Sequence, residues 1–262
     1  MPRISAYIIA FNEAEKIADA VASVAWADEI ILADSYSTDD TARIAESLGA
    51  RVVQVKFEGF GSLRNSAIAA CTGDWIFSLD SDERCTPAAR DEIRALVERG
   101  GHDVYWVPRR NFFLGREIRH SGWYPNYRQP QLFRRGAMGY DMSPVHEGYV
   151  LADPGKPIGH MKSAIWQLPY KNIAELIHKM NRYSTLGAAK PRQKGSSMFK
   201  AYTHGVWAFW KHFLFKRGFL DGWAGYLIAL GYFEVTFYRY AKAVELAHAA
   251  DWAAQWKEIV HR

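Results

Sequence analysis

Asp80 and Asp82 stand two residues apart where an apolar run, Trp75-Ile76-Phe77-Ser78-Leu79, gives out, and Glu83 follows at once. A buried strand needs the apolar residues; nothing in a strand needs three carboxylates at its exit. Two Asp side chains at i and i+2 beyond a central strand offer hard oxygen ligands suited to Mg²⁺ or Mn²⁺. The carboxyl edge of an open α/β sheet is also where such proteins bind ligands. A solvated loop that happens to be acidic explains the same residues without chemistry. The chain in front of them weighs against that simpler account.

Strand-like and helix-like stretches alternate there with short connections. Ile4 to Ala10 reads as a strand buried on both faces. Asn12 is placed to cap a helix, Glu13 to Ala25, with Ile17, Val21 and Val24 at helical spacing. Glu29 to Ala33 is a second strand, ending at Asp34-Ser35-Tyr36-Ser37-Thr38-Asp39-Asp40-Thr41, whose Ser, Thr and Asp residues cap a helix that Gly49 stops. A third strand spans Arg51 to Phe57, a helix with Arg64 and Asn65 spans Ser62 to Ala70, and a fourth strand spans Asp74 to Leu79. This alternation predicts a mostly parallel sheet flanked by helices. Asp34 is then a carboxylate at a strand end, able to accept hydrogen bonds from a nucleobase or ribose, or else to shape a turn. Arg64 is a fixed cation facing the same edge, suited to a diphosphate, or a surface Arg.

Four motifs, Ile8-Ile9-Ala10-Phe11-Asn12-Glu13, Asp34 to Thr41, Arg64-Asn65 and Asp80-Ser81-Asp82-Glu83, come in the order and spacing of family 2 glycosyltransferases. The chain resembles the bacterial lipopolysaccharide-core β-glucosyltransferases of that family, and the resemblance runs to about Tyr240. It implies a GT-A fold, a nucleoside-diphosphate sugar donor (UDP and glucose by analogy) and an inverting transfer. It assigns donor binding to Ala10, Phe11, Asn12, Glu13, Asp34, Arg64, Asp80 and Ser81, with the Asp34 position contacting uracil. Tyr36 departs from the Gly of many relatives and could flank the base. Asp82 would hold Mg²⁺ or Mn²⁺, with Asp80 on the ribose or behind the ion. In the family an acidic residue follows the Pro144-Val145 turn and acts as base, which maps to Glu147. His146 beside it would orient the acceptor or share its proton, unless the pair is a water-exposed strand edge. A late His returns to the metal or diphosphate in many GT-A enzymes, and His160 matches its place. It can equally be a packing residue.

Beyond the fourth strand the pattern predicts a helix over Ala88 to Arg99, a strand over Asp103 to Pro108 and another at Gln131 to Arg134. Between the last two, Trp123 and Tyr124 either face a pyranose or fill core. The expected division is a catalytic domain over 1–160, nucleotide-binding over 1–85 and acceptor-side over 100–160, followed by a helical appendage over 161–262. Charge divides the same way: residues 1–155 carry 17 Lys/Arg against 22 Asp/Glu, and residues 156–262 carry 16 against 6. Fifteen Phe, Trp and Tyr fall between Phe199 and Tyr240. Aromatic residues alternating with cations on amphipathic helices suit the headgroup layer of an anionic membrane. The longest uncharged run in this tail, Gly222 to Phe233, is too short to cross one. Nucleic acid is disfavoured, because no binding motif is present and the acidic half would repel phosphates. The amino-terminal stretch lacks the pattern of a signal peptide, and Cys71 and Cys85 are too few for a disulfide framework. The reading is a cytoplasmic protein, peripheral at the inner face of the inner membrane, with a lipid-linked saccharide as acceptor. Two other readings stay open: a nucleotidyl or phosphoryl transferase on a similar sheet, and a non-catalytic membrane adaptor.

Overall fold

The computed structural model describes residues 1–123, 129–142, 148–190, 193 and 195–260. His146 and Glu147, and with them Tyr124, lie outside the described residues. The chain divides into two compact units, one of residues 1–111 and 125–169, the other of residues 112–124 and 170–262.

In the first unit, strand and helix alternate as their periodicity requires: β1 (Ile4–Ala10), α1 (Ala14–Ser23), β2 (Glu29–Asp34), α2 (Thr41–Ser47), β3 (Arg51–Gln54), α3 (Phe60–Ala70), β4 (Trp75–Asp80), β5 (Glu83–Arg84), α4 (Pro87–Arg99) and β6 (Val104–Trp106). β7 (Arg109–Phe113) leads out of the unit to β8 (Arg116–Ile118). The first unit then resumes with β9 (Pro130–Arg134), β10 (Met138–Tyr140), β11 (Tyr149–Leu151), β12 (Gly159–His160) and β13 (Ile165–Gln167). Seven strands form one sheet in the order β12-β6-β9-β4-β1-β2-β3. β1 pairs in parallel with both β2 and β4, and β9 runs antiparallel between β4 and β6. β1 lies inside the sheet between β4 and β2, and every one of its residues is buried.

Alternate β1 side chains feed two cores, as a two-residue period demands. Ile4, Ala6 and Ile8 pack with Ile17 and Val21 of α1 and Ile93 and Leu96 of α4. Tyr7 and Ile9 pack on the other face with Leu63 and Ala67 of α3. Thr86 caps α4, its Oγ1 accepting the Ala89 N–H at 3.1 Å, with Pro87 opening the first turn.

The second unit holds α5 (Ile173–Ala188), α6 (Met198–Trp210), a π-helical turn (Lys211–Phe215), a 3-10 turn (Gly218–Asp221) and α7 (Trp223–Val260). The boundary expected at residue 160 falls instead after Pro169, because β12 pairs with β6 and β13 with β5 and β7. Residues 112–124, expected with the catalytic part, fold among the helices. Phe113 and Ile118 share a core with Leu176, Met180, Ala224 and Ile228. Trp123 packs edge-on to Phe113 and tilted against Tyr170, so it fills core in this unit. Among the described residues no helix is long and apolar enough to cross a membrane. Both cysteines are free and buried, and burial pushes each thiol up to about 12.

Candidate active site

Strand register brings the motifs together. Ala10 of β1 is level with Asp34 of β2, and Ile9 is level with Asp80 of β4. The ends of β2 and β4 are two strand spacings apart, about 10 Å. One edge of the sheet thus carries the loops 11–13, 35–40 and 81–82.

The first two loops are lashed to each other, which explains the Ser/Thr/Asp run after β2. Asn12 donates its backbone N–H to Ser37 Oγ at 2.8 Å, and its Oδ1 accepts the Thr38 N–H at 2.8 Å. The Glu13 N–H reaches Thr41 Oγ1 at 2.8 Å and the Ala14 N–H reaches Asp39 Oδ2 at 3.1 Å. The helix α1 is therefore capped from the neighbouring loop, and not by Asn12, whose φ of 55° turns its side chain across to Thr38. Asp34 is fully buried, and its two carboxylate oxygens accept the Ser37 N–H and hydroxyl. Of the two roles open to it, the structure shows the turn-shaping one. Phe11 and Tyr36 stand exposed on these loops, at 56 % and 60 %. They offer two aromatic faces at the strand ends.

Arg64 is buried in α3 and is not a surface cation. Its Nη2 donates to Asp80 Oδ1 at 2.8 Å and its guanidinium lies over the Tyr140 ring at 5.5 Å. Burial opposes its charge, yet Asp80, Tyr7 and Tyr140 around it raise its pKa. Arg64 thus fixes Asp80 where sequence had offered it to a diphosphate. Asn65 beside it exchanges two 2.9 Å hydrogen bonds with the Tyr140 backbone, tying α3 to β10.

Glu83 was legible only as a third acid. It is completely buried, with Oε2 accepting the Asp80 N–H at 3.0 Å and Gln131 Nε2–H at 2.9 Å. Its Oε1 lies 2.6 Å from Arg109 Nε. Burial pushes its carboxyl up to about 7 against the pull of Arg109, and the charges of Asp80 and Asp82 push the same way. Arg84 adds a brace, donating to the Ser81 carbonyl at 2.8 Å and to the Lys16 carbonyl at 2.9 Å. Ser81 itself is buried. The acidic loop is held by its backbone from below and by Arg64 from the side, while Asp82 stays partly exposed.

His160 is exposed on β12 and stacks against Trp106 at 6.5 Å. In the sheet order it lies three strands from β4, about 14 Å at the usual spacing. No three His, Cys, Asp or Glu side chains among the described residues converge on one ion position. A divalent ion of the Mg²⁺ type still fits the donors present, since it is ordinarily held by one or two carboxylates with substrate phosphates and water completing its shell. A cavity of about 260 Å³ lies at the opposite sheet edge, where Asp103 pairs with both Arg134 and Lys156. It contains none of the motif residues.

Comparison with known proteins agrees with this arrangement. A glycosyltransferase of Rickettsia felis is 30 % identical over 264 residues, covering 94 % of this chain and 90 % of that one. The lipopolysaccharide core biosynthesis glycosyltransferase LpsC of Rhizobium meliloti is 31 % identical over 205 residues, covering 73 % of each. The crystal structure of Staphylococcus aureus TarS residues 1–349 superimposes with a TM-score of 0.51 at 13 % identity, covering 94 % of this chain and 92 % of that one, and shares its GT-A fold. The pattern of Glycosyl transferase family 2 matches residues 5–148, a stretch that runs from the second residue of β1 past β4 and takes in every loop of the edge just described, and the chain belongs to that family.

Proposed function

We propose that this protein is an inverting hexosyltransferase. It moves a sugar, glucose in the first instance, from a uridine-diphosphate donor to a hydroxyl of a lipid-linked saccharide such as the lipopolysaccharide inner core. The observation that carries the reading is the sheet edge shared by Asp80, clamped by Arg64, by the partly exposed Asp82 and by the exposed rings of Phe11 and Tyr36. The lipopolysaccharide acceptor is supported by the description of LpsC.

In this reading Phe11 and Tyr36 hold the base between them, and Asn12 and Glu13 shape the wall against the diphosphate. Asp80, with its backbone N–H fixed by Glu83, faces the ribose. Asp82 supplies a carboxylate to Mg²⁺ or Mn²⁺, which when bound neutralises the charge growing on the leaving diphosphate. His160 is not needed for this. Glu147 takes the proton of the acceptor hydroxyl as that oxygen bonds to the anomeric carbon from the face opposite the breaking carbon–oxygen bond. His146 orients the acceptor. The acceptor's lipid places the reaction at the inner face of an anionic membrane.

Thermal-shift measurements with UDP-, GDP-, ADP- and dTDP-sugars, each with and without Mn²⁺, test the donor. A rise in melting temperature for UDP-glucose that depends on Mn²⁺ is expected, and Asp82→Ala should remove it. Glu147→Gln should keep the shift and lose transfer. Normal turnover by Glu147→Gln would overturn the base assignment, and no shift with any sugar nucleotide would overturn the reading as a whole.

A further inference from the structure

The second unit contains a tight corner made by α6, the π-helical and 3-10 turns, and the first turns of α7. Ala201 and Gly205 of α6 face inward, with Gly205 against the ring of Phe233. The corner closes by backbone contact. A Cβ on Gly225 would lie 1.8 Å from the Gly218 carbonyl oxygen, so no larger residue lets α7 fold back so closely. Large side chains are left on the outside. Trp207, Trp210, Leu214, Phe215, Phe219 and Trp223 are between 45 % and 64 % exposed. Many of these rings touch: Trp207 contacts Phe215 at 5.6 Å, and a chain of contacts runs from Trp210 through Phe209 and Phe213 to Phe219 and Tyr226. Scattered exposed Leu or Phe residues need no explanation, whereas a contiguous apolar patch marks a contact surface.

Charge says what that surface meets. Lys211, Lys216 and Arg217 lie exposed among these rings. The only acid between 198 and 226 is Asp221, and it is buried. Its carboxylate accepts the N–H groups of Arg119 and His120 and the Ser121 hydroxyl, so it shows no negative charge outward. Tryptophans at the polar–apolar boundary and long cationic side chains reaching outward from it are the composition of a bilayer interface. No helix among the described residues can span the bilayer, which leaves contact from one side.

We propose that this corner, from Trp207 to Trp223, is the surface on which the protein lies in an anionic membrane, its rings in the interfacial layer and Lys211, Lys216 and Arg217 at lipid phosphates. The proposal rests on the membrane-bound acceptor inferred above and locates where that membrane is touched.

Flotation of the full chain with vesicles tests it. Vesicles of phosphatidylcholine mixed with phosphatidylglycerol should carry the protein upward, and pure phosphatidylcholine should carry far less. Each cation near such a surface strengthens binding about fivefold. Replacing all three (K211Q, K216Q and R217Q) should therefore weaken partitioning about a hundredfold. Trp207→Ser with Phe215→Ser should weaken it while leaving circular dichroism and UDP-sugar thermal shifts unchanged. Binding by both variants at the wild-type level would move the contact elsewhere and overturn the proposal. So would failure of the wild type to float, or light scattering that shows a dimer which the Trp207/Phe215 variant dissolves. Transfer to a soluble, delipidated acceptor reads the chemistry separately. If it proceeds while flotation fails, only the docking surface falls; if flotation stands while transfer fails, the enzymatic reading falls.

Discussion

Asp80 is held twice, through its side chain by Arg64 and through its main chain by Glu83. The second hold has its own energetics. Glu83 and Arg109 form an ion pair with almost no exposed surface. Removing one partner of such a pair costs about 3–5 kcal/mol, because the other charge is stranded. Glu83→Ala should therefore lower the free energy of urea unfolding by about that amount. The neutral pair Glu83→Gln with Arg109→Met should recover most of it, since replacing both charges removes the desolvation cost as well. If the pair serves only stability, the double variant regains full activity. If it positions Asp80 and Asp82, the double variant stays folded but keeps a reduced kcat. Arg64→Met removes the other hold, leaving a partly exposed Asp80, and should cost less, about 1.5–3 kcal/mol. At this scale sequence was a partial guide. The carboxylates announce themselves by type and spacing, but Arg109 and Gln131 sit on strands far along the chain, and nothing local marks them as the partners of Glu83. Asp34 and Arg64 had two readings each, and only burial decides between them.

Elements are tied at the edge remote from the site by another carboxylate. Glu29 at the start of β2 accepts Ser5 Oγ–H at 2.6 Å from β1, the Thr72 N–H at 2.8 Å, and Arg51 Nη2–H at 3.0 Å from β3. Burial alone would raise its carboxyl, but the hydrogen bonds from Ser5, Thr72 and Arg51 prevail and lower it from 4.5 to about 2. The folded pKa is depressed, so this contribution to stability is complete above pH 4.5 and is lost as pH falls toward 2. Unfolding measured by denaturant across that range should show a slope that Glu29→Gln lacks. Thr86→Ala, which deletes the cap of α4, should cost about 1 kcal/mol at every pH. The order and type of β1 through α4, apart from the two-residue β5, were legible in sequence because apolar period and turn residues agree there. The β7–β8 and β10–β11 strands were not, being three to five residues long in a stretch where Arg and aromatics obscure any alternation.

The whole chain divides into two units, the second of which takes in residues 112–124 as well as 170–262. Composition announced two parts, and its charge division is real, but no local signal showed that residues 112–124 belong with the helices. Asp221 is the clasp. Beyond the hydrogen bonds to residues 119–121, its Oδ1 lies 3.2 Å from His120 Nδ1, and His212 meets the Ser121 carbonyl at 2.9 Å. Asp221→Leu should raise amide hydrogen exchange across residues 112–121 while β1, β2 and β4 stay protected, a contrast that mass spectrometry reads peptide by peptide.

The same clasp sets a schedule for synthesis. Ser121 leaves the ribosome 100 residues ahead of Asp221, an interval of about 5–20 s at ordinary elongation rates. Throughout it Phe113 and Ile118 have no finished core to enter, since Ala224 and Ile228 are translated later still. A stop codon placed after Pro169 would make that wait permanent, so a shortened catalytic fragment should reach the cell as chaperone cargo instead of as a free enzyme.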